Sequence, residues 1–214
     1  TGAASGIGRA IANRFAEEGV DVFGVDLQVG NMPENRHLLD HIQVDLTDER
    51  STNVILDCLS LHTQKCDILV NAAGVSEFGL FDDKDSSLFD RTMAVNLEAV
   101  ARITRDFLPL LRKSNQGRII NIGSICSEFA SPGLSAYVVS KHAVLGLTRA
   151  LASELGPEGI TVNCIQPGAI LTGITASSFE VDPSFKEHWV NKSAIGRIGE
   201  PEDVAPLACF LASE

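Results

Sequence analysis

Positive charge is scarce in this chain: 17 Lys and Arg face 28 Asp and Glu, a net charge of −11 over 214 residues. That balance argues against nucleic acid as a partner, because phosphate backbones demand clustered Lys and Arg. Long apolar runs are missing too. None approaches the ~18–20 residues needed to span a bilayer, so no membrane partner is expected. The five cysteines stand apart at 58, 66, 126, 164 and 209, with no C-x-x-C and no nearby His pairing. Such spacing offers no metal site and reads as reduced thiols in a cytoplasmic protein. Repeats, linkers and low-complexity tracts are absent, so one domain covering 1–214 is expected. The chain starts at Thr1 rather than Met, which leaves open a removed targeting segment.

What is present is ordinary globular material, 44% apolar and 21% charged, laid out as alternating short strands and helices. Such alternation predicts an α/β fold, a parallel sheet with helices on both faces. The N-terminal TGAASGIG places Gly2, Gly6 and Gly8 before a helical pattern with Ile7, Ile11 and Phe15 on one face. Glycines there let a backbone approach a pyrophosphate, and the helix start offers unpaired N–H groups. The spacing is G-x3-G-x-G and not the G-x-G-x-x-G of the dinucleotide fingerprint. VDVFGVDLQ then reads as a strand ending in Asp26, eighteen residues past Gly8. An acidic residue about 20 positions past the glycines binds adenosine ribose hydroxyls in such units.

Beyond an Asn-, Pro- and Glu-containing loop at 30–36, HIQVDL predicts a strand ending in Asp45, followed by a helix over about 49–61. CDILVNAAG predicts a buried strand running into a small-residue turn, Asn71 to Gly74. Residues 86–113 form the longest helical pattern, with Asn96 in its middle among Met93, Val95 and Leu97. Asn is a poor helix former because its amide competes for backbone groups. GRIINIGS supplies another strand, ITVNCIQPG one more, and PEDVAPLACFLASE a closing helix. The stretch 169–192, with Gly173, Pro183, Phe179, Phe185 and Trp189, predicts a mobile substrate flap.

Ser124 to Lys141 is the chemical centre of the sequence. Tyr137 and Lys141 stand at i and i+4 on a predicted helix, one turn apart on one face. An ammonium beside a phenol lowers a pKa that is otherwise near ~10, making Tyr137 a candidate proton donor and acceptor. Ser124, thirteen residues earlier, is placed to bond the same substrate oxygen.

Taken together, TGAASGIG at 1–8, NAAG at 71–74, Asn96, Ser124, YVVSK at 137–141 and VNCIQPGAILT at 162–172 resemble the short-chain dehydrogenase/reductase family over essentially the whole chain. The resemblance implies a three-layer, doubly wound Rossmann-like sheet. It implies Tyr137 as catalytic acid/base, Lys141 lowering its pKa and bonding the nicotinamide ribose, Ser124 orienting the substrate oxygen, and Asn96 holding a water of the proton relay. Gly2, Ser5, Gly6, Ile7 and Gly8 would line the pyrophosphate and adenosine side. Asp26 would bind the ribose diol, and Asp45, with Leu46 beside it, the adenine. Asn71, Ala72 and Gly74 would meet the adenosine and nicotinamide ends. Pro167 and Gly168 would border the cofactor, with Ile170 and Thr172 at the carboxamide.

The implied activity is hydride transfer between NAD and a secondary alcohol or ketone, NADP being the lesser expectation. The alternatives are a 3-oxoacyl carrier-protein reductase of the same fold and a non-catalytic dinucleotide-binding regulator. Carrier-protein reductases usually present a basic residue near position 26 or in the glycine turn; Asp26 argues against one here, and Arg9 only weakly for it. Val75, Phe78, Cys126, Phe129, Phe179 and Trp189 are expected to wall a largely apolar substrate pocket. Leu108, Leu111, Val144, Leu147 and Leu151 are expected to form the surface of a homodimer or homotetramer. Family members place an apolar strand before the glycine turn, between the strands ending in Asp26 and Asn71, and a further strand after position 214. Neither is in this sequence, so a chain truncated at both ends is expected.

Overall fold

The computed structural model describes residues 1–29, 35–82, 86–181 and 183–214; most of the predicted 30–36 loop lies outside them. Five short parallel strands carry the fold: β1 (Val22–Asp26), β2 (Leu38–Gln43), β3 (Ile68–Asn71), β4 (Arg118–Ile122) and β5 (Thr161–Ile165). β3 and β4 are mostly Ile, Leu and Val, as strands covered on both faces must be, whereas β2 exposes Leu39, Asp40 and Gln43. The second strand sits earlier than its apolar letters suggested. Asp45 therefore follows β2, in the turn that leads to α2 (Ser51–Ser60).

The strands form two sheets, β1–β2 and β3–β4–β5. Among the described residues, β1 bonds only β2, and β3 bonds only β4 on its inner side. The sheets part where the resemblance leads one to expect a gap, between the strands ending in Asp26 and Asn71. A cavity of about 550 Å³ lies there, lined by Ile11, Ala12, Phe15, Ile55, Ile103 and Phe107 among others. The first three residues bridge its upper end: the Thr1 nitrogen donates to Val70 O at 2.7 Å, and Ala3 N–H donates to Val25 O at 3.2 Å.

Helices cover both faces. Ile11 and Phe15 of α1 (Gly6–Glu17) and Val204, Ala205 and Ala208 of α8 (Pro201–Ala212) pack on Ile120 and Ile122 of β4. On the opposite face α2, α4 (Ala99–Leu111) and α5 (Ser135–Leu155) enclose Leu69, Ile119 and Val162. Leu111 and Ile119 are fully buried, each contributing about 1.5–3 kcal/mol of burial.

The long helix of 86–113 is composite. α3 (Ser87–Met93) runs into a π-helical turn, Ala94–Glu98, and then α4. Asn96 sits inside that turn and is 1% exposed. Its amide engages groups off the helix, the kind of competition that lets a turn widen. The segment expected as a mobile substrate flap, 169–192, carries two helices, α6 (Gly173–Val181) and α7 (Pro183–Lys192). Phe179 meets Phe185 in a tilted contact and Phe185 meets Trp189 edge-on, at ring separations of 5.8 and 6.2 Å.

Candidate active site

A cavity of about 750 Å³ opens along the C-terminal ends of the strands, the edge on which open parallel sheets bind ligands. The glycine turn forms its floor. A Cβ on Gly8 would lie 2.2 Å from Gly2 O, so α1 can press onto the turn only because that atom is missing. Gly2 itself has φ +69, a left-handed value that a side chain would strain. Thr1 Oγ1 accepts the N–H groups of Ala72 and Ala73, both at 3.2 Å, tying this turn to the small-residue exit of β3.

The first turn of α1 has no side-chain cap at Ser5 and no acidic residue. That first turn lines the cavity with its backbone donors uncapped by any side chain, a setting that fits a diphosphate. At the end of β1, Asp26 is held from both sides. Oδ2 accepts Ala4 N–H and Oδ1 accepts Gln28 N–H, each at 3.0 Å. Asp45 accepts both the N–H and the hydroxyl of Thr47 at 2.8 Å, and these bonds hold its carboxyl below the usual carboxylate range. These residues fit a nicotinamide dinucleotide: diphosphate donors in the middle, carboxylates at one end and titratable groups at the other.

That other end is built by β4, the turn after it, and α5. Ser124 caps the 3-10 turn Ile125–Ser127, its Oγ accepting Cys126 N–H at 3.1 Å. Its hydroxyl stands near enough to the Tyr137 phenol to favour the phenolate. Lys141 is 6% exposed; its Nζ donates to Ile122 O at 2.8 Å and lies 5.6 Å from the centre of the Tyr137 ring. Burial depresses the Lys141 ammonium to about 8. Tyr137 moves upward, because burial outweighs the opposing pull of the Ser124 hydroxyl. The expectation that Lys141 lowers the phenol is thus corrected, since Tyr137 is raised here. The helical spacing is right, but the ammonium is turned to a β4 carbonyl and the larger effect on Tyr137 is loss of water.

Most of the residues singled out in the sequence line this one cavity: Gly2, Ser5, Gly6, Ile7, Gly8, Asp26, Asp45, Leu46, Ala72, Gly74, Ser124, Tyr137, Lys141, Pro167, Gly168, Ile170 and Thr172. Asn71 does not. It is 3% exposed, lies opposite Asn121 in the β3–β4 register, and donates to Asn121 Oδ1 at 2.9 Å and Thr104 Oγ1 at 3.1 Å. Its role is in the sheet, behind the cofactor cavity. The Asn96 side chain is also off the wall. It exchanges two hydrogen bonds with the backbone of Val75, at 2.8 and 2.9 Å, and donates to Ser140 Oγ at 3.1 Å. Both amide protons are committed, so the side chain is not the donor that holds a water. Of the residues expected to wall the substrate pocket, Val75 lines the cavity and Phe78, Cys126, Phe129, Phe179 and Trp189 do not. Gln28, Thr47 and Arg91 line it unforeseen; their polar types carry no periodic signal that sets them apart in the sequence.

A family profile described as Enoyl-(Acyl carrier protein) reductase matches residues 2–214. The chain belongs to the short-chain dehydrogenase/reductase family. It is 32% identical to the 3-oxoacyl-acyl-carrier-protein reductase of Thermotoga maritima over 100% of this chain and 89% of that protein. Its fold matches the ligand-free aldohexose dehydrogenase of Thermoplasma acidophilum, TM-score 0.91, 31% identity, covering 99% of this chain and 84% of the other. A gluconate 5-dehydrogenase from Burkholderia cenocepacia J2315, in complex with NADP and tartrate, matches with TM-score 0.88 and 26% identity, covering 100% and 86%. The sheet and helices are thus those of a Rossmann-type dehydrogenase, and membership makes the chain a nicotinamide-dependent oxidoreductase of CH–OH and ketone groups.

Proposed function

We propose that the chain oxidises a secondary alcohol, or reduces the matching ketone, with NAD(H) as its cofactor and Tyr137 as the general acid/base. The observation that carries this reading is that Ser124, Tyr137 and Lys141 line the same cavity as the glycine turn and Asp26. Bound nicotinamide supplies or accepts the hydride; the protein holds the reactants and moves the proton. Tyr137 gives its proton to the nascent alkoxide or takes it from the alcohol. Ser124 donates a hydrogen bond to the same oxygen. Lys141, charged over much of the working pH range, steadies the tyrosinate.

Asp26 supports NAD over NADP. Its carboxylate is fixed by two N–H groups where a ribose diol can donate to it and where a 2′-phosphate meets like charge. Arg91, the guanidinium on the cavity wall, is paired to Glu77 at 3.0 Å. NADP in the Burkholderia relative keeps the second reading open to test. A panel of secondary alcohols with NAD, followed by NADH absorbance, is expected to give turnover, with kcat/KM favouring NAD by at least about tenfold, ~1.4 kcal/mol. No turnover with any alcohol refutes the activity, and equal constants for NAD and NADP refute the cofactor choice.

We place the enzyme in the cytoplasm, and no described helix is long and apolar enough to cross a membrane. A homodimer or homotetramer is proposed through α4 and α5, on narrower grounds than the sequence offered. Leu111 and Val144 turn inward, at 0% and 1% exposure, and the half-buried Leu108 and Leu151 pack against the core, leaving Leu147 as the half-buried leucine not engaged there.

A further inference from the structure

Two serines that play no part in the reaction itself stand between the catalytic segments. Ser127 is 1% exposed and Ser140 is 0% exposed, yet each hydroxyl both accepts and donates. Ser127 Oγ accepts Ser124 N–H at 3.2 Å and donates to Lys141 O at 2.9 Å. Ser140 Oγ accepts from Asn96 Nδ2 at 3.1 Å and donates to Tyr137 O at 2.8 Å. One hydroxyl thus joins the backbone of Ser124 to that of Lys141. The other joins Tyr137, through Asn96, to the backbone of Val75 on the cavity wall.

We propose that Ser127 and Ser140 are positioning residues for the hydride-transfer reaction, two buried braces that hold the Tyr137 and Lys141 turn of α5 in register with Ser124 and Val75. This rests on the functional reading above. The physical ground is that buried hydroxyls are held only where their bonds are met, and here both partners of each lie on different catalytic segments. Lys141 reaches β4 through a long side chain, which tolerates a shift of the helix better than a hydroxyl on a single carbon does. A displacement of about 1 Å between reacting groups is worth up to about a hundredfold in rate.

The composition offers a direct probe. The chain has a single tyrosine, so tyrosinate absorbance during an alkaline titration of the cofactor-free protein reports Tyr137 alone. The Ser124 hydroxyl opposes the upward drift of that phenol, so letting the Ser124 turn slip must raise it further. Titration is therefore compared among wild type, Ser127→Ala, Ser140→Ala and the hydroxyl-retaining Ser127→Thr, with circular dichroism on the same samples to separate ionisation from unfolding. The expected result is an upward shift of about one pH unit in Ser127→Ala, a smaller one in Ser140→Ala, and return toward wild type in Ser127→Thr. In turnover with NAD and the best alcohol of the panel, kcat falls at least about tenfold while KM for NAD stays within about twofold. Unshifted titration in both alanine variants overturns the proposal, as does a loss of melting temperature with kcat and titration unchanged. If wild type turns over no alcohol, the functional reading fails on its own, and the titration still decides the bracing.

Discussion

The two sheets are held together by different means. In the β3–β4–β5 half, buried polar groups stitch strand to strand and strand to helix. Asn71 donates to Asn121 and Thr104, and Asn121 donates to Thr148, whose hydroxyl donates on to Val144 O. In the other half β1 and β2 pair with each other, and an apolar cavity separates β1 from β3. Hydrogen-bonded buried networks favour one arrangement, even with Asn71 Oδ1 left without a partner here, whereas apolar packing around a cavity tolerates several. The proton chemistry we propose belongs to the stitched half, with Ser124 after β4 and Tyr137 and Lys141 on α5. The proposed adenosine end belongs to the looser half, where Asp26 and Asp45 would need only to reach a ribose and a ring.

The largest expected effect breaks the chemistry of the stitched half alone. Tyr137→Phe keeps the ring and deletes the proton, so kcat should fall by roughly 10²–10⁴-fold with NADH binding, followed by its fluorescence, nearly unchanged. Retention of more than about a tenth of wild-type kcat removes Tyr137 from the general acid–base role.

Lys141→Met separates function from stability in the same half. Turnover should be lost, yet the melting temperature at pH 7 should not fall, because a buried ammonium held at about 8 is a burden on the fold. The sign is as follows. Between the folded value of about 8 and the unfolded value near ~10.4, the unfolded state binds more protons, so stability rises with pH across that window. In Lys141→Met that rise should vanish. A melting temperature several degrees below wild type at pH 7 would contradict this.

Three further substitutions sharpen the contrast between the halves. Asn121→Ala orphans groups of Asn71 and Thr148 and should cost about 2–4 kcal/mol in denaturant unfolding. Enlarging Ala99, 1% exposed in the packed core, to Leu should cost about 1–3 kcal/mol. Ala12→Leu grows into the 550 Å³ cavity and should be neutral or stabilising by up to about 1–2 kcal/mol. Equal penalties at Ala12 and Ala99 would erase the distinction.

Local pattern made much of this legible in the sequence. The glycine turn, the i, i+4 pair Tyr137 and Lys141, and the strand-terminal Asp26 are short-range features, and each sits where its spacing placed it. What was not legible depends on long-range register. Asn71 was expected at the cofactor, but its partner Asn121 lies 50 residues away, and only the β3–β4 pairing sets them side by side. Asn96 was marked as odd for a helix, though nothing local reveals that Val75 and Ser140 satisfy its amide through a π-helical turn. Ser127 and Ser140 give no signal at all, since a small hydroxyl on a helix looks like any surface serine until its burial is known. The helices α6 and α7 are hard to see in the sequence because Gly173 and Pro183 open them, while the ring contacts among Phe179, Phe185 and Trp189 leave no periodic trace.

The central claim is that one proton, on Tyr137, accompanies hydride transfer in either direction. Its most direct test is the pH dependence of kcat/KM for one alcohol–ketone pair measured both ways, with NAD and with NADH. Oxidation needs the deprotonated phenol and should rise with pH. Reduction needs the protonated phenol and should fall over the same interval, with one shared apparent pKa. Profiles that are flat in both directions, or that persist in Tyr137→Phe, would contradict it.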